Sequence, residues 1–325
     1  MRDGVNERDF RPGGVARKRV PRTEWMLARL LSDQNLTDQN LDIQDLNLED
    51  LNVEGRGPED LNSVDPSAGN MAPVAHSIKV VVLNECPSTN DLCRELLTMD
   101  DCPPAMLLVA ERQTAGRGRL DRSFFSADRS GIYMSLLLRP DGAVAGKRPP
   151  DLNLITAAAG VVACRAIEEE TGEWVGIEWV NDLIYRDGKL GGILTESRWS
   201  GSGELIGLVV GIGINIASDE ILFPPWLKDI AVTLKVGESV ELTRLRIIAK
   251  ITAGLVDLWR RQGWRSVLTE YRQRSTLIDR FVRVSPVLGE PYRAKVLRID
   301  DRGSLVVRSE DGVETRLENE DVSIL

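Results

Sequence analysis

The sequence predicts an α/β (α+β) fold, a central mixed β-sheet flanked by helices, followed by a small all-β barrel-like domain. Three observations carry this. Between residues 78 and 275, short runs rich in Val, Ile and Leu alternate with helical stretches of up to about twenty residues. From about Thr276 the texture changes to short alternating strands separated by LGEP, DDRG and EDG. Before residue 76 neither pattern is present, so the division expected is an extension over 1–75, a main domain over 76–275 and a small domain over 276–325.

The 325 residues are 42% hydrophobic, enough for a substantial core and an appended module. Asp and Glu number 50 against 41 Lys and Arg, a net charge of −9 that argues against a general electrostatic grip on nucleic acid. No apolar run is long enough to span a bilayer, and MRDGVNERDFRPGG lacks an apolar signal region. A cytoplasmic protein without a membrane partner is therefore expected. Cys86, Cys93, Cys102 and Cys164 form no CxxC pair, so reduced, buried thiols are expected rather than a disulfide framework or zinc site. The single histidine, His76, reads as a linker residue. With so little of the usual acid–base repertoire present, Arg, Lys and Asp become the working groups.

Within 1–75, WMLARLL at 25–31 is long enough for one or two helical turns. Leucines then recur every fifth residue at Leu31, Leu36, Leu41, Leu46 and Leu51, and again at Leu61. In a pentapeptide solenoid the residue two places before each Leu also points inward. Here that place holds Gln34, Gln39, Gln44, Glu49 and Glu59, too large and polar for such a core. A disordered acidic arm is the expectation, with SVDPSAGNMAP as linker.

The folded part opens with a strand, IKVVVLN (78–84). STNDLCRELL (88–97) is a helix, with Ser88 or Thr89 as N-cap and Asp91 in its first turn. MLLVAE (106–111) and GIYMSLLLRP (131–140) are strands. The apolar stretch 152–171 is a helix ended by Gly172. IEWV (177–180), LIYR (183–186) and KLGGILTES (189–197) are strands, the last two joined at Asp187-Gly188. Residues 204–216 form a further strand or strand pair, and 242–263 and 264–271 are helical. RFVRVSP, YRAKVLRID, SLVVRS and VETRLEN supply four or five strands of the terminal module.

Four short stretches offer chemistry. TAGRGRLDRSF (114–124) follows an apolar strand; Gly116 and Gly118 allow close backbone approach, and Arg117 and Arg119 supply planar forks for carboxylate or phosphate. It matches neither GxxxxGK[ST] nor GxGxxG, and alone it is equally a basic surface loop. EWVNDLIYRDGKLGGILTES (178–197) would bring Asn181, Asp182 and Lys189 together on paired strands. Gly191-Gly192 inside a strand suggests close approach of a backbone or ligand. Ser88-Thr89-Asn90 alone reads as helix capping, and GIGIN (211–215) alone reads as core.

Taken in order, PSTN, QTAGRGR, WVNDL…KLGGIL, GIGIN and a terminal β-module resemble the biotin–protein ligase (biotin–[acetyl-CoA-carboxylase] ligase) family over about residues 78–325. The resemblance implies an SH3-like fold for the terminal domain and two reactions. Biotin and ATP, with Mg²⁺, give biotinyl-5′-adenylate, and biotin then passes to one lysine of a biotin carboxyl carrier domain of acetyl-CoA or a related carboxylase. It implies biotin contacts from Ser88, Thr89, Asn90, Gln113, Arg117, Gly118, Arg119 and Lys189. Contacts to ATP or the adenylate would come from Arg117, Gly118, Arg119, Phe124, Asn181 and Asn215. Lys189, Arg117, Arg119 and Asp182 would be catalytic, with Mg²⁺ carried by substrate phosphates and no protein ligand assigned. A homodimer is compatible with the family. No DNA partner is expected, because 1–75 lacks paired amphipathic helices. A lipoate or octanoate ligase, a non-catalytic biotin sensor and an RG-type nucleic-acid binder are the competing readings. Glu178 and Val180 stand where the family usually has Lys and Pro, Leu120-Asp121 follow GRGR, and Phe124 replaces a Trp.

Overall fold

The computed structural model describes residues 46–47, 77–99, 102–120, 122–128, 130–140, 152–219, 221, 223–237, 240–286, 289–318 and 321–324. The helix expected at 25–31, His76, Asp121 and all but two residues of the leucine repeat lie outside them.

The main sheet has eight strands in the order β1-β2-β3-β4-β8-β7-β6-β5. These are β1 (Leu46–Asn47), β2 (Ser77–Cys86), β3 (Ala105–Gln113), β4 (Ile132–Leu138), β5 (Gly176–Glu178), β6 (Asp182–Tyr185), β7 (Gly188–Trp199) and β8 (Leu205–Ile214). β2 and β3 are parallel and the other neighbours antiparallel, so the sheet is mixed. The parallel pair needs a crossover, which α1 (Thr89–Leu96) supplies. Ser88 caps this helix, its hydroxyl accepting from the Asp91 N–H at 3.3 Å.

The helix expected at 152–171 is α2 (Leu152–Thr171), buried on most of its circumference. It lies against both the sheet and α3 (Val240–Arg261), which accounts for the lack of a polar face over most of its length. Gly254 lets the two helices approach, since a Cβ there would sit 2.8 Å from Val162 Cγ1. Gly172, at φ +74°, ends α2 in the left-handed conformation open to glycine. β9 (Ile216–Ala217) and β10 (Leu234–Lys235) make a two-stranded parallel sheet beyond β8. A 3₁₀ turn over Trp264–Val267 leads into α4 (Leu268–Arg274).

The second sheet is antiparallel, with strands in the order β14-β13-β12-β11-β15. They are β11 (Phe281–Ser285), β12 (Tyr292–Ile299), β13 (Leu305–Ser309), β14 (Glu314–Leu317) and β15 (Asp321–Ile324). β15, beyond VETRLEN, closes against β11. One strand is shorter than its sequence suggests: β5 ends at Glu178, and Trp179–Val180 turn away from it. Tyr271 donates to the Val180 carbonyl at 3.1 Å, and the Trp179 indole N–H donates to the Gly303 carbonyl at 2.9 Å. Long-range partners that no local pattern encodes fix this turn. Among the described residues no helix is long and apolar enough to cross a membrane.

Cys86, Cys93, Cys102 and Cys164 are buried free thiols. Desolvation pushes the Cys86 and Cys164 thiols from 9.0 up to about 12, and Cys93 upward as well. A raised folded-state value means that the neutral thiols support the fold fully below pH 9.0, and that this support is lost as pH rises through about 12. A thiol reagent at pH 8 should therefore modify none of the four in the native protein and all four in denaturant. Rapid modification of a native thiol would contradict this burial.

Candidate active site

A cavity of about 620 Å³ opens on one face of the main sheet. Its base is set by sheet register. Ser135 on β4, Gly211 on β8 and Leu194 on β7 are cross-strand partners in one row. Two residues along runs a second row: Tyr133, Gly213, Gly192, Asp182 and Glu178. Because side chains alternate with period two, both rows face the same side. Glycine is required in each. A Cβ on Gly211 would overlap the Asn90 carboxamide, and one on Gly213 would overlap the Phe124 ring. GIGIN, read alone as core, is thus the base on which Asn90 and Phe124 rest.

Asn90 is saturated on its nitrogen: Nδ2 donates to the Leu194 carbonyl at 3.1 Å and to Glu196 Oε2 at 2.9 Å. Its Oδ1 is 2.6 Å from the Ser135 hydroxyl, which also lies 2.7 Å from Thr89 Oγ1. The Gln113 carbonyl accepts from the Thr89 N–H at 2.8 Å and from Thr89 Oγ1 at 3.1 Å, and its Nε2 donates to Ser126 Oγ at 3.2 Å. One Gln113 N–H and acceptor capacity on Asn90 Oδ1 remain beyond these bonds. This end of the cavity thus offers both a donor and an acceptor.

The other end is cationic. Residues 116–120 and 122–124 pair as the two arms of a small hairpin, with Gly118 N–H donating to Arg122 O at 2.7 Å and Phe124 N–H to Gly116 O at 2.8 Å. Gly116 is needed because a Cβ there would stand 2.5 Å from the Phe124 carbonyl oxygen. Leu120, at the exposed tip, has φ +53°, a conformation unusual for a residue with a Cβ. Arg117 pairs with Asp91 and lies 3.3 Å from Glu196, while Arg119 donates to Asn181 Oδ1 at 3.3 Å. The Asp91 hydrogen bond is the main cause holding the Arg117 guanidinium above its ordinary range, so it stays charged. Lys189 Nζ meets Asp182 Oδ2 at 2.6 Å, and Asn181 Nδ2 donates to Asp182 Oδ1 at 2.9 Å.

Ser88, Thr89, Asn90, Gln113, Arg117, Gly118, Arg119, Phe124, Asn181, Asp182, Lys189 and Asn215 all line this one cavity. Sequence reasoning missed Ser135, Asp91 as a partner of Arg117, and Glu196. Ser135 is the one polar residue in the run IYMSLLL, and Glu196 lies four positions beyond Gly192 on the same strand face. Phe125 and Phe223, edge to face with centroids 6.2 Å apart, also line the cavity, as does Val322 of β15.

A mixed sheet bearing a pocket polar at one end and cationic at the other defines a small-molecule site suited to an anionic ligand. Residues 82–215 match the biotin/lipoate A/B protein ligase family model. The bifunctional ligase/repressor BirA of Bacillus subtilis is 33% identical over 70% of this chain and 68% of its own length. The biotin–[acetyl-CoA-carboxylase] ligase of Mycobacterium tuberculosis is 29% identical over 62% of this chain and 72% of its own. The structure of biotin protein ligase from Aquifex aeolicus in complex with biotin and ATP superposes with TM-score 0.60 at 26% identity, covering 76% of this chain and 99% of that one. The chain belongs to the biotin protein ligase family.

The adjacent glycines of KLGG differ in what surrounds them. A Cβ on Gly191 would strike the Gly213 carbonyl oxygen, whereas one on Gly192 would find Asp182 Oδ1 at an ordinary 3.5 Å. Gly191→Ala should destabilise the fold by about 1–3 kcal/mol and Gly192→Ala by less than about 0.5 kcal/mol, as read by urea denaturation. Equal losses would refute this account of the sheet.

Proposed function

We propose that this chain is an ATP-dependent ligase that joins biotin to ATP as biotinyl-5′-adenylate and passes biotin to a lysine of a carboxyl carrier domain. The observation that carries this is the donor-and-acceptor end formed by Gln113 and Asn90. A ureido ring presents N–H donors beside a carbonyl acceptor and complements such an end. The dithiolane of lipoate presents neither, and would leave the buried Asn90 amide and the half-buried Gln113 amide without a ligand partner. The family relatives named for biotin ligation support the same choice.

The cationic end suits the first step. The biotin carboxylate attacks the α-phosphorus of ATP, the new C–O–P link forms, and the bond to pyrophosphate breaks. Two anions must approach, and charge grows on the leaving group. Arg117, Arg119 and Lys189 line the cationic end of the cavity, and fixed cations there would stabilise such charge without reorganising. Asp182 orients Lys189, and Phe124 on Gly213 gives the adenine a flat apolar wall. Among the described residues no three His, Cys, Asp or Glu side chains gather into a metal cage. Mg²⁺ would arrive on the triphosphate, as such ions commonly bind, and would neutralise phosphate charge there. In the second step the acceptor amine attacks the acyl carbonyl and AMP leaves. Arg117–Leu120 and Arg122–Phe124 line the cavity, and in this reading they would cover the adenylate and keep water from it.

Biotin-dependent ATP–pyrophosphate exchange should be present, and label should reach a carrier domain only when its target lysine is intact. Exchange driven by lipoate instead of biotin would reassign the substrate, and exchange without transfer would leave a sensor. Lys189→Ala should lower the exchange rate by about 10²–10³-fold; wild-type exchange in that variant would remove Lys189 from the chemistry.

A further inference from the structure

Glu196 does not line the cavity, yet its carboxylate holds two residues that do. Oε2 accepts from Asn90 Nδ2 at 2.9 Å, and Oε1 lies 3.3 Å from both Arg117 Nη2 and Arg94 Nη1. A carboxamide has two ends of opposite hydrogen-bonding character, and its use depends on which end faces the ligand. The Ser135 hydroxyl beside Asn90 does not select an end, because it can donate or accept. Two groups do select: the Leu194 carbonyl and the Glu196 carboxylate are both acceptors at Nδ2. Turning the amide over would press Oδ1 against a carbonyl oxygen and a carboxylate. Of the two, the carboxylate carries the full charge and makes the shorter contact. Asn90 is 4% exposed, so solvent offers no substitute partner.

We propose that Glu196 is a positioning residue that locks the Asn90 carboxamide with its oxygen available to the cavity, so that the site selects ligands carrying an N–H donor at the head. This rests on the reading of the cavity as a biotin site. Glu196 lies on the same face, one row beyond Ser135, Gly211 and Leu194, where it pairs across from Val209. It therefore sets specificity without touching the ligand, and its link to Arg117 ties the hairpin to the same carboxylate.

The test is calorimetric binding of biotin, and of biotin methylated on its ureido nitrogens, to the full chain. The wild type should prefer biotin strongly. Glu196→Ala should weaken biotin binding about tenfold and shrink the ratio between the two ligands by a similar factor, with little change in Tm. Glu196→Gln keeps an acceptor for Asn90 and should restore biotin affinity to within about threefold of wild type. Glu196→Asp withdraws the acceptor by one methylene, so it should shrink the ratio too, and it replaces the alanine variant if that fails to fold. An unchanged ratio in both shortened variants overturns the proposal, as does proportional weakening of both ligands. Absence of biotin binding by the wild type would instead bring down the biotin reading and the inference with it.

Discussion

The site depends on one steric constraint: β8 must carry no side chain where it passes under the cavity. Gly211 and Gly213 face the cavity side of the sheet, and the space a Cβ would take is filled by Asn90 and Phe124. Both residues come from other parts of the chain, α1 and the hairpin after β3, and both come to rest on bare backbone. The cross-strand register then fixes everything else at the base. Ser135 and Leu194 flank Gly211, while Gly192 and Asp182 continue the row of Gly213. A single-residue slip of β8 would turn Ile212 and Ile214, both buried in the core, into the cavity. Core packing and site geometry therefore enforce the same register.

The second organising feature is that cations at the mouth are already held by carboxylates: Arg117 by Asp91 and Glu196, Lys189 by Asp182. In a chain of net charge −9 this is how a local anion site can be kept. Arg117, Arg119, Arg122 and Lys189 line the cavity against Glu178 and Asp182. The pairs are partly exposed, so each contributes little to stability by itself. Their use is preorganisation, because side chains already in place lose less entropy when an anion arrives. Glu178 stands directly opposite Asp182 across β5 and β6, where the family usually has a lysine. It places a second carboxylate on that row, next to the Asp182–Lys189 pair.

Much of this was legible locally, and what was not has a common cause. Ser88 as a cap, the end of α2 at Gly172, and the convergence of Asn181, Asp182 and Lys189 follow from capping, left-handed glycine and hairpin spacing. These are rules that act within a few residues. Read alone, GIGIN gave the wrong emphasis, since its glycines matter only through Asn90 and Phe124, more than 85 residues away in sequence. Glu196 was passed over for the same reason: its partner Asn90 is 106 positions distant. β5 stops at Glu178 because Trp179 and Val180 bond to Gly303 and Tyr271, contacts that strand propensity does not register.

The first of those contacts, from Trp179 to Gly303, gives the small domain a place in the site. Val180 O and Trp179 Nε1 flank the peptide units leading into Asn181 and Asp182, and each is anchored outside the main sheet. Trp179 is 5% exposed and lines the cavity, and Val322 reaches the same cavity from β15. The turn that presents Asn181 to Arg119 and Asp182 to Lys189 is therefore held from one side by β6 and β7 and from the other by the loop before β13. Weakening the second anchor would leave the ion pair intact in composition but free to shift relative to the glycine rows. A misplacement of about 1 Å at such a site is costly to a reaction that depends on alignment. The terminal domain thus acts on the main cavity in two ways, through the Trp179 anchor of this turn and directly through Val322.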